Sequence, residues 1–264
     1  MNILYIGDIM GEPGRETVRL LLPNLRKELN ADLVIAQAEN VSHGVGITPQ
    51  HMDELISFGV DAFTGGNHIY KKDGIHSRLK DTKSPIIGPA NMNVCPGNGY
   101  ISVETANGSV LVVSILGSIF PLKDGESTEN PLKTIDTILE DNNGKHHVAT
   151  IVNFHGDWSS EKIAIGHYLD GRVSAVVGDH WHVPTADARI LPKGTAHISD
   201  VGMTGALDSC LGVELDKIIP RWRDGVKNKN ELEVNKPWQL NAVLISTSSS
   251  TEAKLITQIH REIN

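Results

Sequence analysis

The sequence predicts an α/β fold in which two packed β-sheets are flanked by helices. Short apolar segments typical of buried strands alternate with segments of helical spacing, as in Asn2–Ile6 followed by Arg15–Leu29. This alternation favours a parallel or mixed sheet. At 264 residues the chain is long enough to bury one large core, and no internal repeat or long linker divides it. We therefore expect a single domain over residues 1–264.

The predicted elements continue this alternation to the C-terminus. The helices expected from apolar spacing are Arg15–Leu29, Pro49–Phe58, Pro131–Asp141 and Ser159–Leu169. The strands expected from short apolar runs are Asn2–Ile6, Leu33–Ala36, Asp61–Thr64, Tyr100–Glu104, Val110–Leu116, Val148–Phe154, Val173–Val177, Ile190, Ala196–Ser199, Gln239–Ser246 and Ala253–Ile259. The segment Ala106-Asn-Gly108 predicts a hairpin between the two strands that flank it.

Composition limits the classes of function. The formal net charge is −8, from 24 Lys and Arg against 32 Asp and Glu, which argues against broad electrostatic binding of duplex nucleic acid. Two cysteines, Cys95 and Cys210, are too few for a disulfide framework and indicate a reduced, cytoplasmic environment. The sequence shows neither a signal peptide nor an apolar run of membrane-spanning length, so no membrane is expected as a partner. The oligomeric state stays open, and a homo-oligomer is compatible with the sequence.

Five predicted strands end in side chains that can bind metal. They supply, in chain order, Asp8, Glu39-Asn40, Asn67-His68, His155 and the pair His180 and His182. Each alone has a simpler explanation, because an Asp after a strand commonly caps a helix, Gly-Asn-His forms turns, and a lone histidine is often buried in a core. The histidine pair is a stronger signal, since residues two apart in an extended segment point to the same side. Ligands collect at the carboxyl ends of strands in α/β sheets, so the five ends together predict one metal site.

The proposed ligands form a chemically consistent set. Two carboxylates, two amides and three imidazoles without a thiolate suit Mn, Fe or Zn. Seven ligands are too many for one tetrahedral ion and predict two divalent ions, about 3.5–4 Å apart, that share a bridging carboxylate. Such ions would attract a phosphate ester, offset the charge of an in-line transition state and supply a bridging hydroxide as the nucleophile. A small phosphate ester is therefore the predicted substrate.

Four further residues are candidates for substrate contact. His68 directly follows a proposed ligand, and adjacent extended residues face opposite ways, so its imidazole can protonate the leaving oxygen or merely brace the turn. Gly11 and Arg15 open the first helix, whose free N–H groups can hold an anion or simply start the helix. An extended backbone would point Trp181 away from the metals, where it can stack on a base or pack in the interior.

These motifs resemble those of the calcineurin-like metallophosphoesterase superfamily and, more narrowly, those of its YmdB-type branch. The superfamily resemblance rests on the polar strand ends described above. The branch-specific phrases are Gly7-Asp-Ile-Met-Gly-Glu-Pro-Gly-Arg15, Ala38-Glu-Asn40, Thr185-Ala-Asp-Ala-Arg-Ile-Leu-Pro192 and Asp200-Val-Gly-Met-Thr-Gly205. The phrases occur in matching order from the first residue to about Gly212.

The resemblance implies a four-layer αββα sandwich that holds a di-iron or di-manganese site. It also implies phosphodiesterase action on small substrates, with 2′,3′-cyclic nucleotides as the expected class. The implied ligands of one ion are Asp8, Asn40 and His182, and those of the other are Asn67, His155 and His180. Glu39 is implied to bridge the two ions, and His68 is implied to be the general acid.

The chain departs from the family pattern around the site, although every proposed ligand is kept. Asn153 stands where the family usually has Asp, Ile69-Tyr-Lys71 replaces Thr-Trp-Asp, Trp181 replaces a small polar residue, and Pro184 replaces Gln. These changes leave two alternatives open: a metal-binding regulatory or nucleotide-binding protein without catalysis, and a metal-dependent amide hydrolase. Turnover in a phosphodiesterase assay with added Mn²⁺ separates the non-catalytic alternative from an enzyme.

Overall fold

Two mixed β-sheets and six α-helices form the framework of the computed structural model, which describes residues 1–118 and 122–264. The strands are β1 (Asn2–Ile6), β2 (Asp8–Ile9), β3 (Leu33–Gln37), β4 (Ala62–Thr64), β5 (Tyr100–Thr105), β6 (Gly108–Leu116), β7 (His147–His155), β8 (Ala175–Asp179), β9 (Arg189–Ile190), β10 (Ala196–Ile198), β11 (Met203–Ala206), β12 (Trp238–Ser249) and β13 (Glu252–Ile263). The helices are α1 (Gly11–Glu28), α2 (Pro49–Phe58), α3 (His76–Lys80), α4 (Pro131–Asp141), α5 (Ser159–Tyr168) and α6 (Leu215–Asp224).

Both sheets combine a parallel centre with antiparallel strands. The first sheet has the order β2-β11-β12-β1-β3-β4, and β13 pairs with β12. Its strands β1, β3 and β4 are parallel, whereas β12 is antiparallel to β1. The second sheet has the order β5-β6-β7-β8-β10-β9, in which β6, β7, β8 and β10 are parallel and the two outer strands are antiparallel. Parallel strands end on the same side of their sheet, so the loops that follow them are brought together.

Three hydrophobic cores separate four layers of secondary structure. Leu4 and Ile6 of β1 belong to the core that also contains the buried face of α1. Ile3 and Tyr5 of the same strand point to the opposite face and belong to the core between the two sheets, as the two-residue period of a strand requires. Val152 of β7 belongs to a third core, which the second sheet forms with α4 and α5. The predicted four-layer αββα sandwich is therefore confirmed.

Local capping fixes the starts of the two helices whose predicted bounds the structure reproduces. The side chain of Thr48 accepts a hydrogen bond from the His51 amide at the start of α2, and Gly59 ends this helix with a φ of 109°. At the start of α4, the side chain of Asn130 accepts from two backbone amides, and Pro131 occupies the first turn. Among the helices of the described ranges, none is long and apolar enough to cross a membrane.

Several elements differ from the sequence-based prediction. Helix α1 begins at Gly11 rather than at Arg15, and strand β8 begins at Ala175 rather than at Val173. Strands β2 and β11 were not predicted, because each is only two to four residues long and is stabilised by pairing with the other. Helix α6 was also missed. Its apolar residues Leu215, Ile218, Ile219 and Trp222 follow helical spacing, although only Ile218 is buried.

The close packing at Gly7 leads to a test of the fold. A Cβ atom at Gly7 would collide with the backbone carbonyl of Gly202, and backbone cannot move aside as a flexible side chain can. We expect Gly7→Ala to lower the free energy of unfolding by about 1–3 kcal/mol, measured by urea denaturation. Gly74→Ala is the matched control, because its Cβ would come no closer than 3.4 Å to Pro49. Equal losses in the two variants would contradict this account.

Candidate metal centre

The proposed ligands meet where the carboxyl ends of the two sheets adjoin. Asp8 begins β2, and His155 is the last residue of β7. The other ligands lie on the loops that follow β3, β4 and β8, namely Glu39, Asn40, Asn67, His180 and His182. Asp8, Glu39 and His155 are almost completely buried. The structure therefore brings together residues from both sheets, as the strand-end pattern predicted, in two adjacent clusters.

One cluster consists of Asp8, Asn40 and His182. The Asp8 carboxylate oxygen Oδ2 lies 2.9 Å from Asn40 Nδ2 and 3.1 Å from His182 Nε2. The Asn40 Nδ2 and His182 Nε2 atoms are 3.4 Å apart. Because the amide nitrogen of Asn40 faces this cluster, binding a cation through the amide oxygen requires a half-turn of the amide group.

The second cluster consists of Glu39, His155 and His180, whose ligand atoms all lie within 4.8 Å of one another. His155 Nε2 is 3.2 Å from Glu39 Oε1, and the rings of His155 and His180 meet edge to face with centroids 4.7 Å apart. Asn67 follows β4 at the same end of the sheet and has a buried Oδ1 atom. Glu39 Oε1 also lies 3.5 Å from Asn40 Nδ2, so this carboxylate is shared between the clusters.

In the second cluster, the pKa values of Glu39 and His155 are shifted in opposite directions. Burial alone would lower the pKa of His155 and raise that of Glu39, but the attraction between them outweighs burial. The pKa of His155 therefore rises to about 10, while the pKa of Glu39 falls. Burial, together with the charge on His155, lowers the pKa of His180 to about 3, so this imidazole is neutral near pH 7. A neutral imidazole and an ionised carboxylate are the forms that bind metal, and a cation would compete with the proton on His155.

The site fits divalent cations by a structural criterion as well as by its chemistry. Asp8 Oδ1 and Asn67 Oδ1 are buried and have no hydrogen-bond partner among the described residues. An unpaired buried polar atom costs about 1–3 kcal/mol, so such atoms are expected where another group completes the site. Gly66 leaves the necessary room, because a Cβ atom there would collide with both Glu39 and His155.

Asp179 is a functional residue that the sequence analysis missed. Its Oδ1 lies 2.6 Å from His155 Nδ1, which holds the ring with Nε2 towards Glu39. Its Oδ2 accepts a 2.5 Å hydrogen bond from Asn153, the residue that stands where the family usually has Asp. The negative charge that Asn153 lacks is therefore supplied by Asp179. The available signal was a carboxylate directly before a proposed ligand, His180.

The histidine loop after β8 is not extended, and that part of the prediction is wrong. His180 and His182 have positive φ angles of 113° and 62°, which turn the backbone at each residue. Their imidazoles therefore enter different clusters instead of lying side by side. Buried Lys162 stabilises the turn, because its Nζ donates to the carbonyl of Asp179 and to the Asp200 carboxylate.

Three residues predicted to contact substrate have other partners. The Gly11 amide donates to the Asn40 carbonyl, so it is not available to an anion. Arg15 forms an ion pair with Glu54 and donates to the Val41 carbonyl, and it thereby braces the loop that carries Glu39 and Asn40. The ring of Trp181 lies 4.5 Å from Lys162 Nζ, and its indole N–H donates to the carbonyl of Asp157. Among the described residues, none of Gly11, Arg15 and Trp181 lines the pocket at the metal centre.

His68 lies at the edge of this pocket, which has a volume of about 390 Å³. Its Nδ1 is 3.1 Å from Asn40 Oδ1, and its backbone N–H donates to Glu39 Oε2. The side chain remains 37% exposed, so it is less enclosed than the proposed ligand His155. The His68 imidazole can therefore reach a substrate in the pocket from its solvent-exposed side.

Sequence and structure comparisons give consistent relatives. A sequence model of the YmdB-like protein family matches residues 4–259. The 2′,3′-cyclic-nucleotide 2′-phosphodiesterase of Bacillus subtilis (strain 168) is 38% identical over 255 residues, which cover 96% of this chain and 93% of that protein. The crystal structure of a novel phosphatase from Mycoplasma pneumoniae gives a TM-score of 0.89 at 29% identity, covering 99% of this chain and 93% of that chain. The structure of a 5′-nucleotidase precursor from Thermus thermophilus gives a TM-score of 0.56 at 12% identity. The match covers 98% of this chain and 54% of the nucleotidase chain, and it shows similarity of fold alone.

The role of Asp179 can be tested through metal affinity. Asp179→Asn removes the negative charge behind His155 but keeps the shape of the side chain, so we expect metal affinity to fall about 10–100-fold. Competition with a chelator of known affinity measures the loss. Asp170→Asn is the control, because the buried Asp170 carboxylate accepts from the amides of Lys193 and Thr195 and contacts none of the proposed ligands in the described structure. This control should lower stability without changing metal affinity, whereas unchanged affinity in Asp179→Asn would refute the role.

Proposed function

Because the chain belongs to the YmdB-like family of the metallophosphoesterase superfamily and is a phosphoesterase, we propose that it is a dinuclear metal-dependent phosphodiesterase. Its proposed substrates are small phosphate esters, with 2′,3′-cyclic nucleotides as the main class, as the name of the Bacillus subtilis relative suggests. The observation that carries the proposal is the position of Glu39, whose carboxylate is shared by two ligand clusters at the base of one pocket.

We assign one ion to each cluster. Asp8, Asn40 and His182 would hold the first, Asn67, His155 and His180 would hold the second, and Glu39 would bridge them. The absence of thiolates among these ligands favours Fe or Mn, with Zn also compatible. Two bound divalent cations would attract the phosphate group, lower the pKa of water and offset the charge that develops in an in-line displacement.

The residues of the chain itself would hold and protonate the substrate. Asp179 keeps the His155 ring in a fixed orientation, so the second cluster needs little rearrangement when substrate binds. His68 lies beside the bridging carboxylate but completes neither cluster, which leaves its imidazole able to donate a proton to the leaving oxygen. The hydrogen bond from the His68 backbone N–H to Glu39 keeps the proposed general acid close to the proposed bridging carboxylate.

We further propose that the enzyme acts on small cytoplasmic esters rather than on duplex nucleic acid. The net charge of −8 opposes long-range attraction of a polyanion. The pocket volume of about 390 Å³ lies within the range of roughly 300–1,000 Å³ that is typical of small-molecule sites.

The bridging role of Glu39 predicts a coupled loss of metal and activity. Glu39→Gln has nearly the same shape but lacks the charge that two cations would share, so both metal content and turnover should fall. Elemental analysis after dialysis measures the first, and hydrolysis of a nucleoside 2′,3′-cyclic phosphate measures the second. Glu28→Gln, which alters only an exposed ion pair with Arg261, should retain both properties. A Glu39→Gln protein with two metals and full activity would exclude bridging.

The acid role of His68 predicts a loss that depends on the leaving group. His68→Ala should lower kcat by about 10²–10⁴-fold on an ester with a poor alkoxide leaving group, because a general acid typically contributes this factor. The deficit should shrink on a nitrophenyl ester, whose leaving group departs without a proton, and both metals should stay bound. His147→Ala, at the opposite end of β7 from His155, serves as the histidine control. Equal losses on both esters, or loss of one metal, would assign His68 a different role.

A further inference from the structure

The pocket at the metal centre has two chemically different walls. One contains the polar residues Glu39, His68 and His182, and the other contains Leu211, Val213, Ile218 and Trp222. The apolar wall is formed by α6 and the loop before it. We propose that this wall is a binding subsite for the nucleobase of the substrate, with Trp222 as its stacking face. The assignment rests on the proposed function in that it takes the phosphate group to lie at the metal centre.

Trp222 is exposed to an extent that packing of the fold does not explain. The whole residue is 82% exposed, although an indole is among the most favourable groups to remove from water. Its neighbours on the same wall differ, since Val213 and Ile218 are buried and fix the base of the wall. Leu211 of the same wall is also exposed, and contiguous exposed apolar surface is typical of ligand-binding sites.

The segment that carries this wall is held in place on several sides. Cys210 and Val213 exchange two backbone hydrogen bonds, of 2.8 and 3.0 Å, just before α6. The Glu214 amide at the start of the helix donates to the carbonyl of Glu231. Near the other end, Arg221 donates to the carbonyl of Asn228 and to the side chain of Asn230. A platform fixed in this way loses little conformational entropy when it binds a ligand.

The chemistry of the pocket fits an uncharged aromatic group joined to a phosphate. Cations at the ligand clusters would attract the phosphate end, and the apolar side chains of the other wall offer contact to an uncharged ring. Arg221 also lines the pocket, but its guanidinium donates to Asn228 and Asn230. Asn230 also lines the pocket, and its amide can form hydrogen bonds with the edge of a base. Stacking on Trp181, one of the two alternatives that the sequence left open, is less favourable, since Lys162 lies over that ring.

The test compares a substrate that has a base with one that lacks it. Wild-type enzyme, Trp222→Ala and Trp222→Phe are assayed with adenosine 2′,3′-cyclic phosphate and with methyl riboside 2′,3′-cyclic phosphate. We expect Trp222→Ala to raise KM for the nucleotide by about 5–150-fold, the factor that stacking of one base supplies, with little change in kcat. KM for the sugar ester should stay the same, and Trp222→Phe should restore most of the affinity for the nucleotide.

A binding measurement provides a readout that does not depend on turnover. Titration of the metal-loaded protein with adenosine monophosphate should quench tryptophan fluorescence in the wild type. In Trp222→Phe this quenching should be lost, while calorimetry still detects binding. Trp158→Ala is the matched control, because Trp158 is 54% exposed at the start of α5 and is not among the described residues of the pocket. It should leave KM for both substrates unchanged.

The outcomes distinguish the subsite from the proposed activity. Equal effects of Trp222→Ala on both esters, or a wild-type enzyme that does not favour the nucleotide over the sugar ester, would overturn the subsite and leave the phosphodiesterase function standing. Failure to hydrolyse either ester, combined with Trp222-dependent binding of adenosine monophosphate, would overturn the activity and support the subsite. Circular dichroism of each variant verifies folding, which substitution of so exposed a side chain should not disturb.

Discussion

The contact between the buried Glu39 carboxylate and His155 is the constraint on which the site depends. Glu39 follows β3 of the first sheet and His155 ends β7 of the second, so their 3.2 Å separation fixes how the two sheets meet at this end. Two buried ionisable groups are tolerated only when each has a partner, which makes this contact sensitive to any displacement of either sheet. Gly66 is required for the same reason, because a side chain there would occupy the space that the pair needs.

A buried polar chain extends this constraint away from the ligands. Asp179 contacts both His155 and Asn153, and the Ser114 hydroxyl lies within hydrogen-bond distance of Asn153 and of the Gly65 carbonyl. Gly65 opens the loop that carries Asn67 and His68, so one network orients ligands from β4, β7 and β8. Such a network is stable only if all its members are satisfied, and this requirement holds the three strand ends in register.

The fold and the ligand set could be predicted because both depend on patterns of residues that are close together in the sequence. Leu4 and Ile6 alternate with Ile3 and Tyr5, and the helices Pro49–Phe58 and Pro131–Asp141 show apolar spacing, so these elements follow from periodicity alone. The turns at His180 and His182 could not be predicted, because their positive φ angles are imposed by contacts with Lys162 and Asp200 from distant parts of the chain. The apolar wall was missed for a related reason. The sequence does not show that α6 lies beside the metal centre, so it gives no sign that Trp222 lines the pocket.

The hydrophobic cores and the carboxyl end of the sheets differ in the groups that they contain. The three cores contain apolar side chains whose burial stabilises the sheets, and they tolerate no unsatisfied atom without a cost of about 1–3 kcal/mol. The carboxyl end of the sheets contains Asp8 Oδ1 and Asn67 Oδ1, which have no partner among the described residues. The same end leaves the Trp222 indole in water. At this end of the sandwich the unpaired and exposed groups are ones that a cation and a substrate would satisfy, which is how a stable scaffold can retain a reactive site.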